Sequence, residues 1–421
     1  MFPSTRESRQ GFDDIDPRTC TQCGACVSVC PLGVITTCGQ EVQLQDGCIE
    51  CGLCYRFCPG REMDFHALSK AHLGSPPQDP LLGHYRQLLV GQATSKEIRE
   101  KAASGGVVTA LLVHLLETNR ISGALGVAMD PERPWVSQAT ILSTTEEMRR
   151  ATQSKYSLVT LDALLRTARQ ESGPLALVGL PCHVHGLRRM QRIGSYRDRF
   201  PLAIGLFCGF NLEPAATDYL ITKAGFAKQQ VARFQYRGGP WPGGLVIDGR
   251  DGQRYFAPKD SYAYVNLMHV PHRCLVCPDL TNELADLSVG DTWLREYEGG
   301  WSTVICRTAQ GERLLEEAVQ AGALRLAEID RAALMHSHGH LFAYKKEGYF
   351  VRQWWLRVPL DYRLPRPQVG VKRWIQQSLL LAAILILSTS AVRRVVRRMP
   401  DSWLALLSRR GRASATGARR E

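Results

Sequence analysis

Eight cysteines between Cys20 and Pro59 stand in two matching runs, CTQCGACVSVCP and CIECGLCYRFCP, each spaced Cys-x2-Cys-x2-Cys-x3-Cys-Pro. Thiolates are soft ligands suited to iron-sulfur chemistry, and short Cys-x2-Cys steps let one turning loop present three sulfurs to three corners of a cube. The doubled spacing predicts two 4Fe-4S clusters, with the fourth cysteine of each run crossing to the other cluster. One set is then Cys20, Cys23, Cys26 and Cys58, and the other is Cys48, Cys51, Cys54 and Cys30. Zinc closes with four ligands from paired Cys-x2-Cys steps, which leaves no use for a third cysteine and a terminal Cys-Pro. Gly24 and Gly52 fall where the backbone must turn tightly and approach inorganic sulfide. Cys38 matches no ligand position and reads as an ordinary buried or free thiol.

Five further cysteines follow. Cys182 and Cys208 close the apolar runs PLALVGLP (174–181) and PLAIGLFCG (201–209). Both runs read as core strands, and open α/β sheets place their ligand sites at such C-terminal strand ends. Cys274 and Cys277 form a ligand-type step in HRCLVCPD. Together these four are a candidate set for a third 4Fe-4S cluster, the alternative being buried structural thiols.

The elements that must position these ligands follow from the apolar pattern. At 421 residues, 44% hydrophobic and 22% charged, the chain is ordinary globular material for two or three domains. A leader (1–16) precedes a ferredoxin-type unit (17–62), and the Pro- and Gly-punctuated AHLGSPPQDPLLG marks a linker (63–84). Strands are expected at RQLLVGQA, GALGVAMD and SQATILS, with an amphipathic helix over SGGVVTALLVHLLETN (104–119) and another helix over about 183–192. Strand and helix in alternation predict an α/β core over 85–345 with parallel pairing. Beyond Val231 the shorter runs RFQYRGG, GGLVIDGRDGQRYF and LSVGDTW predict an α+β continuation with antiparallel hairpins. A connector (346–372) leads to an apolar and basic tail (373–421).

The N-terminus is polar and has no signal-peptide core, so reduced thiols in the cytoplasm are expected. The formal charge is +12, but residues 393–421 hold nine Arg against two acids, so +7 of it lies in the tail. That placement argues against nucleic acid as a partner and toward membrane phospholipid. WIQQSLLLAAILILSTSAV (374–392) is just long enough to span, yet a crossing would carry the arginines across as well. An interfacial anchor at the cytoplasmic face, continued by SWLALLSRR, is therefore expected, with docking on a partner subunit as the alternative.

The ordered motifs SGGVVTALLVHLLE, QSKYSLV, LVGLPCHVHGLRR, LFCGF and RCLVCPDLTNELADLSVGDTW resemble the beta-subunit family of coenzyme F420 (deazaflavin) hydrogenases and dehydrogenases, from about Arg86 to Leu341. The resemblance implies an FAD-containing oxidoreductase module that exchanges a hydride with a deazaflavin or NAD(P)H-type carrier and passes single electrons to iron-sulfur clusters. It also implies that Cys182, Cys208, Cys274 and Cys277 hold a cluster near that flavin. The chain departs from the family at Gly179-Leu180-Pro181-Cys182-His183, where Gly-Thr-Pro-Cys-Gln is common, and at Gly209-Phe210, where His-Gly is common. Both changes bear on which donor is used. The chlorophyll-reducing branch's long cysteine-rich N-terminal signature is also missing.

For the flavin, Ser104-Gly105-Gly106 precedes a helix and offers backbone N–H groups to a pyrophosphate, the alternative being a plain N-cap. Lys155 is a candidate phosphate or ring contact, or else a solvated lysine. His183, His185 and Arg188 could meet an anionic donor, with His183 the candidate proton donor. Asp286 and Asp291 orient a loop or the ribityl chain, or serve as caps. The expected function is electron transfer between the hydride carrier and the clusters through FAD, in either direction, with a ferredoxin or another redox subunit as partner. Two alternatives are a ferredoxin-fed reductase of an organic substrate, such as a tetrapyrrole or an envelope metabolite, and a non-catalytic wiring subunit of a larger complex.

Overall fold

The computed structural model describes residues 10–39, 41–400 and 403–404. SWLALLSRR lies mostly outside them, as do the arginines beyond Arg398 and the first nine residues of the leader. In the N-terminal unit the two cysteine runs fold alike. Helix α1 (Ala25–Val29) follows Gly24 at φ 91°, and helix α2 (Leu53–Phe57) follows Gly52 at φ 72°. These left-handed turns are what glycine accommodates without strain, as the spacing required. Between them Ile35–Cys38 pairs antiparallel with Glu41–Leu44, and Cys38 is exposed on this hairpin.

The apolar runs build one eight-stranded sheet. Its strands are β1 (Gln87–Ala93), β2 (Gly123–Met129), β3 (Ser137–Leu142), β4 (Leu175–Gly179), β5 (Leu202–Leu206), β6 (Leu287–Asp291), β7 (Ser302–Cys306) and β8 (Leu324–Glu328), in the order β8-β1-β7-β6-β5-β4-β2-β3. The central four, β2, β4, β5 and β6, run parallel to one another, and the outer strands pair antiparallel. Successive residues of a strand face opposite ways. Ala176, Leu202 and Ile204 accordingly pack with helix α3 (Val107–Glu117), whereas Leu175, Leu177 and Ala203 pack with helix α4 (Pro181–Met190). Both faces are covered, which explains the near-continuous apolar runs.

LSVGDTW differs from expectation. It returns to the main sheet as β6, parallel to β5, while the expected antiparallel part is a separate sheet of Val231–Gly238, Gly244–Gly249 and Arg254–Pro258. The segment read as a linker is also packed chain. Asp64 caps helix Phe65–Leu73, whose Phe65, Leu68 and Leu73 are buried, and Leu82 is fully buried. The helical spacing of those apolar residues outweighs the local Pro and Gly. The last part comprises helices α5 (Gly348–Leu356), α6 (Val371–Leu387) and α7 (Ser390–Arg398).

One buried side chain ties the packed linker to the sheet. Arg307 is fully buried and donates to the carbonyls of Leu82 and His84, both at 2.6 Å, to Ser288 Oγ at 2.8 Å and to Thr281 Oγ1 at 3.0 Å. Removing it leaves several buried acceptors without a donor, each costing about 1–3 kcal/mol. Arg307→Leu is expected to destabilise the fold by at least about 3 kcal/mol, read as a lowered denaturant midpoint in chemical unfolding.

Candidate redox centre and carrier site

The structure groups the eight N-terminal cysteines in two neighbourhoods, with Cys26 of one still sensing Cys54 of the other. Cys30, Cys48, Cys51 and Cys54 line one cavity together with Pro31, Ile49 and Gly52. Cys58, although it follows that run, lies within electrostatic reach of Cys20, Cys23 and Cys26. Burial first, then repulsion from Asp162 and from the Cys58 and Cys26 thiolates, pushes Cys23 far above the ordinary thiol range. Among the described residues no three metal-binding side chains converge on one ion.

The second set is assembled by the sheet. Cys182 opens α4 just past β4, and Cys208 follows β5, its N–H donating to the Leu280 carbonyl at 2.8 Å. Cys274 and Cys277 come from the short helix His272–Leu275 and the loop after it. Burial and the thiolates of Cys208, Cys274 and Cys277 together raise Cys182. Cys208 is pushed up to about 12, mainly by burial.

Lys345, 1% exposed, faces this set from a π-helical turn, Ala343–Glu347. Burial works against its charge, but Cys277, Cys208 and Cys274 hold its pKa above the ordinary value. It forms no ion pair among the described residues, whereas its neighbour Lys346 takes buried Glu283.

Asp162 links the two sets. Its N–H donates to the Cys23 carbonyl at 2.7 Å, and its carbonyl accepts from Ser28 Oγ at 2.6 Å. Its carboxyl is fully buried, and burial raises its pKa well above the carboxylate range. Both Cys23 and Cys182 sense it. Gly186 of α4 makes room for it, since a Cβ there would stand 2.1 Å from Asp162 Oδ2. Arg166 Nη1 donates to the Cys30 carbonyl at 2.7 Å and Tyr196 OH to the Ser28 carbonyl at 3.0 Å. The N-terminal unit is thereby fastened to the sheet domain, with α4 running from the second set toward the first.

Several expected ligand contacts are instead architectural. His183 accepts from the Leu180 N–H at Nδ1 (3.2 Å) and donates from Nε2 to the Val159 carbonyl (3.0 Å). Burial brings its pKa down to about 4, so it is neutral and committed, which corrects the proton-donor expectation. His185 pairs with Asp279 at 2.9 Å, and Asp279 also accepts from the N–H groups of Asn282 and Glu283. Arg188 reaches Asp286, Gln191 and the Leu284 carbonyl, and Asp286 also accepts from the Ala203 N–H. These groups fold the CPDLTNELAD loop across the strand ends.

Lys155 donates to the carbonyls of Ala151, Thr152 and Gln153 at a helix end, and burial lowers its pKa to about 7. The ammonium serves as a C-cap, contrary to the phosphate reading. Its chain still lines a cleft of about 330 Å³ whose wall includes Lys101, Arg149, Arg150 and Arg233.

His183 and His338 are both held near a pKa of about 4, chiefly by burial, against an ordinary 6.5. A lowered folded pKa adds stability that is full above 6.5 and lost as pH falls toward 4. The unfolding midpoint is expected to drop across that window, and His183→Gln, read by thermal scans at both ends of it, to flatten the drop.

At the Ser104–Gly106 turn, Ser104 Oγ bonds to the Trp301 carbonyl at 2.7 Å and to Ser302 Oγ at 2.9 Å. A Cβ on Gly105 would stand 2.4 Å from the Gly91 carbonyl, so this glycine serves sheet packing. Gly106, at φ 75°, caps α3 with no side-chain acceptor, which leaves the first-turn N–H groups to other partners.

Beside this turn lies a group that sequence reasoning missed. Arg237, 1% exposed, donates to the Ala103 carbonyl at 2.7 Å, Asp291 Oδ2 at 2.9 Å and Tyr156 OH at 3.2 Å. Trp241 and Trp293 lie with ring centroids 4.8 Å apart and planes tilted by 35°, and Lys259 Nζ lies 4.2 Å from the centre of the Trp293 ring. The segment RGGPWP carried the signal, in an arginine and a tryptophan among turn residues.

Sequence models described as coenzyme F420 hydrogenase/dehydrogenase, beta subunit, match residues 88–166 (N-term) and 173–332 (C terminus). Two described as 4Fe-4S binding domain match 14–36 and 45–64. The chain is 27% identical over 337 residues to the coenzyme F420-dependent sulfite reductase of Methanocaldococcus jannaschii, covering 75% of this chain and 48% of that protein, about half its length. It is 28% identical over 258 residues to the coenzyme F420 hydrogenase subunit beta of Methanothermobacter thermautotrophicus, covering 59% and 87% respectively. A chain of the F420-reducing [NiFe] hydrogenase complex of Methanosarcina barkeri shares the fold, with TM-score 0.54 and 23% identity over 68% of this chain and 98% of that one. With both parts of one family description matched in order behind two 4Fe-4S motifs, the chain belongs to the coenzyme F420 hydrogenase/dehydrogenase beta-subunit family and is an oxidoreductase.

Proposed function

We propose that the chain transfers electrons between a reduced F420-type carrier and 4Fe-4S clusters held by its N-terminal unit, working with a redox partner subunit at the cytoplasmic face of a membrane. The observation that carries this reading is the junction at Asp162, a buried carboxyl whose N–H bonds to the Cys23 carbonyl and which both Cys23 and Cys182 sense. Cys182, Cys208, Cys274 and Cys277 would hold the third cluster, and Lys345 would balance its charge. FAD, when bound, would supply the conversion between paired and single electrons.

The chain's own residues suit that group and its carrier. Open N–H groups at the start of α3 would take a pyrophosphate, and the basic cleft beside Lys155 would take an anionic carrier or cofactor tail. The aromatic pair Trp241 and Trp293, with Lys259 above it, offers a planar ring a stacking surface and a cation. Protein purified without oxygen and mixed with reduced F420 is expected to reduce a dye acceptor. Turnover with NAD(P)H alone would replace the carrier, and activity only with reduced ferredoxin and an organic substrate would favour the reductase alternative. Absence of turnover with every donor would leave the wiring subunit.

A further inference from the structure

Helix α6 has two apolar faces. The inner one, with Leu381 and Ile384, packs on Val270, Leu275 and Cys274, and Gln377 bonds to buried Arg352. On the outer face Val371, Ile375, Leu379, Ala382 and Ile386 form an exposed stripe at helical spacing, with Val371 at 77% and Leu379 at 67% exposure. Trp354 and Trp355, both more than half exposed, stand beside its start, where Trp355 Nε1 donates to Ser378 Oγ at 2.7 Å. At its end the chain bends by 82° into α7.

Helix α7 is held to the body by Val396, by Arg393 on Glu213 and by Lys223 on the carbonyls of Arg397 and Met399. Its Arg394, Arg397 and Arg398 are exposed and form no ion pair among the described residues, and the same holds for Lys372 at the other end of the stripe. Residues 362–400 contain eight cations, Arg363, Arg366, Lys372, Arg373, Arg393, Arg394, Arg397 and Arg398, and no Asp or Glu.

We propose that this face docks in the plane of an anionic lipid bilayer, with the α6 stripe in the acyl boundary, the tryptophans at headgroup depth and the arginines on lipid phosphates. The inference rests on the membrane placement above and gives it a mode. At 17 residues α6 is about 25 Å long, short of the ~30 Å hydrocarbon core, and neither α6 alone nor any other single described helix is long and apolar enough to cross. A stripe bounded at both ends by unpaired cations, with no acid among them, matches a phosphate-rich surface that is apolar beneath. Each exposed Lys or Arg near such a surface strengthens binding to it. Docking in this way puts the Cys274 loop on the side of the protein nearest the membrane, since α6 packs directly on it.

The test is flotation of the full chain with vesicles of phosphatidylcholine alone or with one third phosphatidylglycerol. The expected result is binding to the anionic vesicles at least tenfold tighter than to the neutral ones, released by high salt and by carbonate. A double substitution of exposed stripe residues, Ile375→Glu with Leu379→Glu, is expected to abolish it, and Arg394→Gln with Arg397→Gln and Arg398→Gln to weaken it at least tenfold. Unchanged iron content would show that both variants fold. Equal, carbonate-resistant binding to both vesicles would overturn the in-plane mode while leaving the membrane placement. Failure to bind either vesicle, including capture only by a partner subunit, would overturn both.

Discussion

Replacing Cys277 with serine is expected to lower the iron of anaerobically purified protein from about twelve atoms per chain to about eight. The loss should be confined to one cluster because the N-terminal sets, as proposed, would draw all eight of their ligands from residues 20–58. Cys277 shares its surroundings with Cys182, Cys208 and Cys274, whose pKa values burial raises even though Lys345 pulls those of Cys208 and Cys274 down. Carrier-dependent dye reduction should fall at least about tenfold, while the spectra of the two N-terminal clusters persist. If the parent protein itself carries about eight irons, the second set is a group of structural thiols.

Lys345→Met should keep the iron and shift a potential. Methionine nearly matches the length of the lysine chain and fills the same buried space, but it removes the charge that Cys277, Cys208 and Cys274 face. A cation near a cluster favours the reduced, more negative form, so its removal should lower that cluster's midpoint by on the order of 60 mV, a tenfold change for one electron. The N-terminal clusters should keep their potentials. Redox titration followed by electron paramagnetic resonance reads both at once. An unchanged potential with iron intact would mean that Lys345 serves packing alone.

The two 4Fe-4S motifs were legible because cluster spacing is written locally, within a few residues of each cysteine. The strands were legible for the related reason that a sheet buried on both faces leaves unbroken apolar runs. Lys345 was not, because AYKKEGY looks like a solvated charge pair until the π turn directs both lysines inward. Asp162 in TLDALL likewise reads as a helix-start acid. Its position between two cysteine sets depends on Gly186, some two dozen residues away in sequence, leaving it room.

His183 was misread for the opposite reason. Its neighbours in the Pro-Cys-His turn suggest chemistry, but the Val159 carbonyl that fixes its tautomer comes from a distant loop. LSVGDTW has the look of a hairpin strand, and only the long-range partners Leu202–Leu206 and Ser302–Cys306 draw it into the parallel sheet.

The reading as a whole depends on electrons passing from the carrier site, by way of the Asp162 junction, to the N-terminal clusters. The direct measurement is to mix oxygen-free protein with reduced F420, freeze it within a second and record the paramagnetic spectrum. The account predicts that the N-terminal clusters become reduced in the parent protein and stay oxidised in Cys277→Ser. N-terminal clusters that stay oxidised in the parent protein, or that are reduced equally in the variant, would contradict it.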